Sequence, residues 1–146
     1  MFRGRHTHTI DSKGRLSIPA GFRVEIQARS DNPPILTNEK SCLVLYVNED
    51  WVEVEESLAA RAAVSPQHKA YLRFLVSGAV ETPLDSQGRI LIPQFLRDHA
   101  RLEREVTIAG VGPRIEIWDR TLFDQELQRT AADFDAIASA VAQAEG

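Results

Sequence analysis

Cysteine is almost missing from this chain of 146 residues. Cys42 stands alone, which excludes a disulfide framework and a zinc site of clustered cysteines. Long apolar runs are missing too, and nothing approaches the roughly 18 consecutive residues that a membrane-spanning helix needs. The opening MFRGRHTHT has no apolar core of a secretory signal. Nor does one sign of charge dominate: 17 Lys and Arg stand against 21 Asp and Glu, a net of -4, which argues against a chain held unfolded by self-repulsion. Hydrophobic residues make up 43%, enough for one core of ordinary size at this length. One soluble intracellular domain over residues 1–146 is the expectation.

The acidic total would argue against nucleic-acid binding, but it hides an asymmetry. Residues 1–29 carry Arg3, Arg5, Lys13, Arg15, Arg23 and Arg29 against Asp11 and Glu25. Residues 121–146 carry Arg129 against Asp124, Glu126, Asp133, Asp135 and Glu145. A third stretch holds Glu49, Asp50, Glu53, Glu55 and Glu56 with no base. One face can then attract phosphate while another repels it, although solvated acidic helix faces account for the same pattern.

What the chain does have is a repeat of itself. Asp11-Ser12-Lys13-Gly14-Arg15-Leu16-Ser17-Ile18-Pro19 aligns with Asp85-Ser86-Gln87-Gly88-Arg89-Ile90-Leu91-Ile92-Pro93, and Arg23 aligns with Arg97 at the same spacing. Further on, Leu45-Tyr46 and Trp51 align with Ile117-Trp118 and Phe123, two residues having been lost from a connecting loop. The repeats are placed at about 5–57 and 79–130. A helical connector covers 58–78, and a terminal helix runs to about 143.

Both copies follow one grammar. Asp-Ser-x-Gly fits a tight turn, with Asp at its first position and Gly where a positive φ is required. Ile10, Leu16 and Ile18 flank the first turn, and Leu84, Ile90 and Ile92 the second, alternating as in a hairpin with one buried face. Pro19 and Pro93 suit the first turn of short helices running through Phe22, Val24 and Ile26 and through Phe95, Leu96 and Ala100. Strands are predicted at Ile35–Thr37, Leu43–Val47, Val106–Ala109 and Ile115–Trp118, with turns at Asn32-Pro33-Pro34 and Gly110–Pro113. Ser65-Pro66 opens a helix that turns Tyr71, Leu72, Leu75 and Val76 inward. The terminal helix places Phe123, Leu127, Phe134, Ile137 and Val141 at helical spacing. Interleaving the two copies into a closed barrel removes the free edges that short strands would otherwise expose. The expected class is therefore α+β, a small pseudo-two-fold β-barrel with peripheral helices.

The turns place the chemistry. Each yields Asp-x-x-x-Arg, at Asp11 with Arg15 and Asp85 with Arg89, where the carboxylate can accept backbone N–H bonds and fix the direction of the guanidinium. An arginine held at a hairpin base can meet a phosphate or a guanine edge with its planar fork, and a β-ribbon is narrow enough to enter a major groove. The same pattern is equally compatible with salt bridges that only brace the barrel. The first copy is the more basic, with Arg3, Arg5 and Lys13 nearby, and Gln87 replaces Lys13 in the second.

The segments MFRGR, DSKGRLSIP and DSQGRILIP resemble those of the MraZ family, bacterial transcriptional regulators built from two AbrB-like halves. Arg73-Phe74 with Ser77-Gly78-Ala79, and Ile115-Glu116-Ile117-Trp118, extend the resemblance over nearly the whole chain. It implies a double-psi or swapped-hairpin β-barrel that assembles into a homo-oligomeric ring, an octamer or dodecamer. It also implies binding of double-stranded DNA at short direct repeats, in the promoter of the cell-division and cell-wall gene cluster that includes the regulator's own gene. On that resemblance the DNA-contacting residues are Arg15 and Arg89, joined by Arg3, Arg5, Lys13 and Gln87. Asp11, Gly14, Asp85 and Gly88 support the turns. No catalytic residue, metal, cofactor, small-molecule substrate or membrane is implied, and the location is the cytoplasm, on the nucleoid.

Two other classes have less behind them. For an enzyme, His6-x-His8 offers two metal ligands on one strand face, but no further His or Cys stands at ligand spacing. His68 and His99 lie in helical segments, and Cys42 reads as a small core residue. Gly110-x-Gly112 runs into Pro113 and so fails the dinucleotide fingerprint. For an antitoxin-like protein-binding module, the Phe123, Leu127 and Phe134 stripe is the candidate surface, with core packing or a subunit contact as the plainer explanation.

Overall fold

The computed structural model describes residues 1–146. The first part of the chain forms β1 (Phe2–Thr9), β2 (Arg15–Ser17), α1 (Ala20–Arg29), β3 (Ile35–Asn38), β4 (Leu43–Tyr46) and α2 (Asn48–Arg61). Then come α3 (Pro66–Ser77), β5 (Val80–Glu81), β6 (Arg89–Leu91), α4 (Gln94–Ala100), β7 (Glu105–Gly112), β8 (Arg114–Asp119), α5 (Arg120–Ala132) and α6 (Phe134–Glu145). The order strand, short helix, two strands, helix thus occurs twice, and the class is α+β.

Six strands make one antiparallel sheet in the order β1-β7-β8-β4-β3-β5. The motif strands stay out of it. β2 and β6 pair with each other, Arg15 opposite Leu91, Leu16 opposite Ile90 and Ser17 opposite Arg89. The exchange is reciprocal at its ends: Ile18 N–H donates to the Gly88 carbonyl at 3.0 Å, and Ile92 N–H to the Gly14 carbonyl at 2.8 Å. Each copy therefore completes its hydrogen bonding only with the other.

Period-two alternation sorts the sheet side chains onto two cores. Leu43, Leu45, Ile108, Ile115 and Ile117 pack with Leu16, Ile18, Ile90 and Ile92 of the ribbon and with Phe22, Ile26, Leu96 and Ala100 of α1 and α4. On the opposite face Val44, Tyr46, Ala109 and Trp118 pack with Trp51, Leu75 and Phe123 of α2, α3 and α5. β4 is buried on both faces and reads LVLY without a charged residue.

Several expectations need correction. The sheet is not closed into a barrel: β1 and β5 are its two ends, and β5 has only two residues, both spent on β3. β1 reaches the ribbon through a side chain, the His8 Nδ1–H donating to the Ser17 carbonyl at 2.6 Å, not through a backbone ladder. Val24 and Phe95 are exposed, because Phe22 with Ile26 and Leu96 with Ala100, four residues apart, already define the inner stripes of α1 and α4. Pro19 and Pro93 occupy the N-cap positions, one residue before the helices begin. Two helices, α2 and α3, stand between the strands of the two halves, with Trp51, Val54 and Leu58 of α2 against the second core. Ser65 caps α3 as expected, its Oγ accepting from His68 N–H at 3.2 Å, and Leu75 is buried while Tyr71 is exposed. The terminal helix breaks at Asp133. Phe123 is buried, but α6 buries no side chain, and Phe134, Ile137 and Val141 face solvent.

Candidate nucleic-acid interface

The two motif turns are built alike. Gly14 N–H donates to the Asp11 carbonyl and Asp11 N–H to the Arg15 carbonyl, both at 3.0 Å, and Asp85, Gly88 and Arg89 repeat the pair at 3.0 and 2.9 Å. Gly14 and Gly88 have φ of +89° and +75°, where a β-carbon is disfavoured, so glycine is required at both. Asp11 Oδ1 accepts from Lys13 N–H at 3.0 Å and Arg15 N–H at 2.9 Å, leaving Oδ2 to meet Arg15 Nε at 2.7 Å. Asp85 does the same with Gln87, Arg89 and Arg89 Nε, at 2.8, 2.9 and 2.9 Å. The Arg15 N–H bond leads in holding the Asp11 carboxyl down to about 2, and the Arg89 N–H bond likewise lowers Asp85. Both carboxylates are thus charged at any physiological pH and orient the guanidinium beside them.

The ribbon register decides where those arginines point. Leu16 and Ile90 are directly opposed and fully buried, so the alternate positions Arg15, Ser17, Arg89 and Leu91 share the outer face. Arg15 and Arg89 are diagonal neighbours across it, a relation that spans about 7–8 Å in an antiparallel pair. Their side chains are 35% and 24% exposed. Each is tied only through Nε, and the Nη groups have no partner in the chain. Neither arginine is shut into the core.

Two further arginines lock the turns from across the repeat. Arg97 of α4 lies against Gly14, where a β-carbon would come within 2.8 Å of its guanidinium, and its Nε donates to the Ile92 carbonyl at 2.9 Å. Arg23 of α1 lies against Gly88 in the same way, but its buried Nε has no partner. Each copy's arginine therefore packs on the other copy's turn, so the two turns share their packing. The Arg23–Arg97 match was the only sequence signal for this pair, and spacing alone does not tell which turn each reaches.

The remaining candidates separate. Lys13 and Gln87 are exposed at the tips of their turns. Gln87 lines a cleft with Arg3, His6, His8, Ser17 and Arg23. Arg5 lies elsewhere, its guanidinium 5.8 Å from the centre of the Phe123 ring on the α5 side of the sheet. The basic N-terminal segment is thus divided, Arg3 at the cleft and Arg5 at α5, across Gly4, whose φ of +96° interrupts the alternation of β1. Charge separation is also incomplete, since Arg29 pairs with Asp50 of the acidic α2 at 2.8 Å. His6 packs edge-on against Phe22, with no cluster of three or more metal-ligating side chains around it. Cys42 is buried, and burial raises its thiol pKa far above the ordinary range. No helix is long and apolar enough to cross a membrane.

The family model described as "MraZ protein, putative antitoxin-like" matches the chain twice, over residues 1–74 and 75–144. This chain belongs to the MraZ family. Among its relatives in the family is a protein of Moorella thermoacetica, 42% identical over 138 residues and covering 94% of each chain. Another, from Alkaliphilus metalliredigens, is 43% identical over 140 residues and covers 95% of each. A third, from Solidesulfovibrio magneticus, is 42% identical over 144 residues, covering 97% of this chain and 95% of its own. All three carry the name "Transcriptional regulator MraZ". The twofold match of the family model falls on the same two halves as the repeated turn motif.

Proposed function

We propose that this chain is a non-enzymatic transcriptional regulator that binds double-stranded DNA through the outer face of the β2–β6 ribbon. The observation that carries the reading is the pair Arg15 and Arg89, partly exposed on one narrow ribbon, each aimed by a turn carboxylate with its Nη groups free. Such a fork matches a guanine edge or a phosphate. Lys13 and Gln87 at the turn tips add phosphate or polar contacts, with Arg3 at the margin. Arg5, held over Phe123, contributes at most to the long-range field.

Several copies arranged in a ring, an octamer or dodecamer, would present a series of such ribbons, and subunits related by rotation suit direct repeats rather than a palindrome. The proposed target is the promoter of the cell-division and cell-wall gene cluster, including this protein's own upstream region, and the place of action is the cytoplasmic nucleoid. Footprinting of purified protein on that upstream DNA tests the reading. Protected short direct repeats at a constant spacing are expected, and uniform or absent protection would refute it. A protein-binding role for α6 is a second reading, favoured by the unpartnered Phe134, Ile137 and Val141. It requires that deleting residues 134–146 spares DNA binding while abolishing capture of a specific protein.

A further inference from the structure

The ribbon is symmetric in its arginines and asymmetric in what stands opposite them. Arg89 faces Ser17, whereas Arg15 faces Leu91, and Leu91 is 57% exposed on a face otherwise polar and cationic. The difference continues along the chain, where the second copy has the exposed Phe95 at the position of Gly21 in the first. Leu91 contributes nothing to the core, which Ile90 and Ile92 fill on either side of it.

We infer that Leu91 is a specificity-determining residue that packs on the 5-methyl group of a thymine adjacent to the guanine met by Arg15. This rests on the DNA-binding reading above and deepens it. Among base edges in the major groove the thymine methyl is the one apolar group, so an apolar side chain on a reading face has one partner to choose. The β-carbons of directly opposed residues in such a ribbon lie about 5 Å apart, and successive base pairs are about 3.4 Å apart along the helix, so neighbouring side chains reach neighbouring base pairs. The pairing also gives direction. A ribbon with identical halves would read a site equally well in both orientations, whereas Arg15 with Leu91 and Arg89 with Ser17 distinguish its two ends.

The test uses the full-length protein and duplexes of the footprinted repeat in which each thymine is replaced in turn by deoxyuridine, which removes the methyl and keeps the base pair. Binding should fall about three- to fourfold at one thymine beside a guanine, the factor for one buried methyl. Leu91→Ser, which copies the first repeat and should leave folding and oligomer size unchanged, should bind more weakly and lose that sensitivity. Arg15-dependent binding that no deoxyuridine weakens would overturn the inference and leave the DNA-binding reading standing. A Leu91→Ser protein of altered oligomer size with unchanged deoxyuridine sensitivity would make the residue a subunit contact, and so also overturn it. Absence of any Arg15-dependent binding would defeat the reading beneath it.

Discussion

Replacing Gly14 with alanine should destabilise the fold far more than the same change at Gly88, although the two glycines hold equivalent places in the repeat. Both substitutions place a β-carbon at positive φ, which costs about 1–2 kcal/mol. The surroundings differ. At Gly14 the new carbon lies 2.8 Å from the Ile92 carbonyl oxygen, a backbone atom, and 2.8 Å from the Arg97 guanidinium. Moving Arg97 breaks its bond to the Ile92 carbonyl, about 1 kcal/mol, and relieving the backbone overlap costs at least as much again. At Gly88 the nearest atoms all belong to the Arg23 side chain, from the guanidinium to Cδ at 2.6 Å, closer than any at Gly14, but that side chain can swing aside and its Nε has no hydrogen bond to lose. The expected losses are about 3–5 kcal/mol for Gly14→Ala and about 1–2 kcal/mol for Gly88→Ala. Urea unfolding at fixed protein concentration reads this as a midpoint shift at constant slope, about twice as large or more for Gly14→Ala. Equal shifts, or a larger one for Gly88→Ala, would refute the cross-repeat packing of the two arginines.

Three other outcomes follow from the same geometry. Asp11 has its pKa lowered from 3.8 to about 2, so its contribution is complete above about 4 and is lost as pH falls through about 2. Asp11→Asn should flatten the pH dependence of unfolding across that window, and an unchanged acid limb would contradict the assignment. Ser65→Ala removes the cap of α3 and should cost about 1 kcal/mol in thermal or urea melts, whereas no loss would mean that the Ser65–His68 bond does not hold the helix start. Deleting residues 134–146 should leave the unfolding free energy from urea titration within about 0.5 kcal/mol of the original, because α6 buries no side chain, while a large loss would place α6 in the core.

Local grammar in the sequence extended a long way into the structure. The Asp-Ser-x-Gly turns, the LVLY and IEIW strands and the Ser65-Pro66 helix start depend on neighbours a few residues away, and they stand where the pattern puts them. What escaped depends on distant pairing. Nothing within DSKGRLSIP says that Leu16 will lie opposite Ile90, and so nothing in it says that Arg15, Ser17, Arg89 and Leu91 share one outer face. The direction of Arg5 was hidden for a similar reason, since it follows from which sheet face α5 covers. The acidic helix at Asn48 did leave a signal, Trp51, Val54 and Leu58 at helical spacing, masked by the run of carboxylates between them. The stripe from Phe123 to Val141 misled because regular spacing carries no notice of a break at Asp133.

Fluorescence anisotropy of the protein's own upstream DNA, titrated with the wild type and with Arg15→Ala and Arg89→Ala at one salt concentration, tests the central proposal most directly. With oligomer size unchanged, Arg15→Ala should lose at least about tenfold in affinity, as expected for removing an arginine that forks onto a base, and Arg89→Ala should lose less. Undiminished binding by Arg15→Ala would contradict the account.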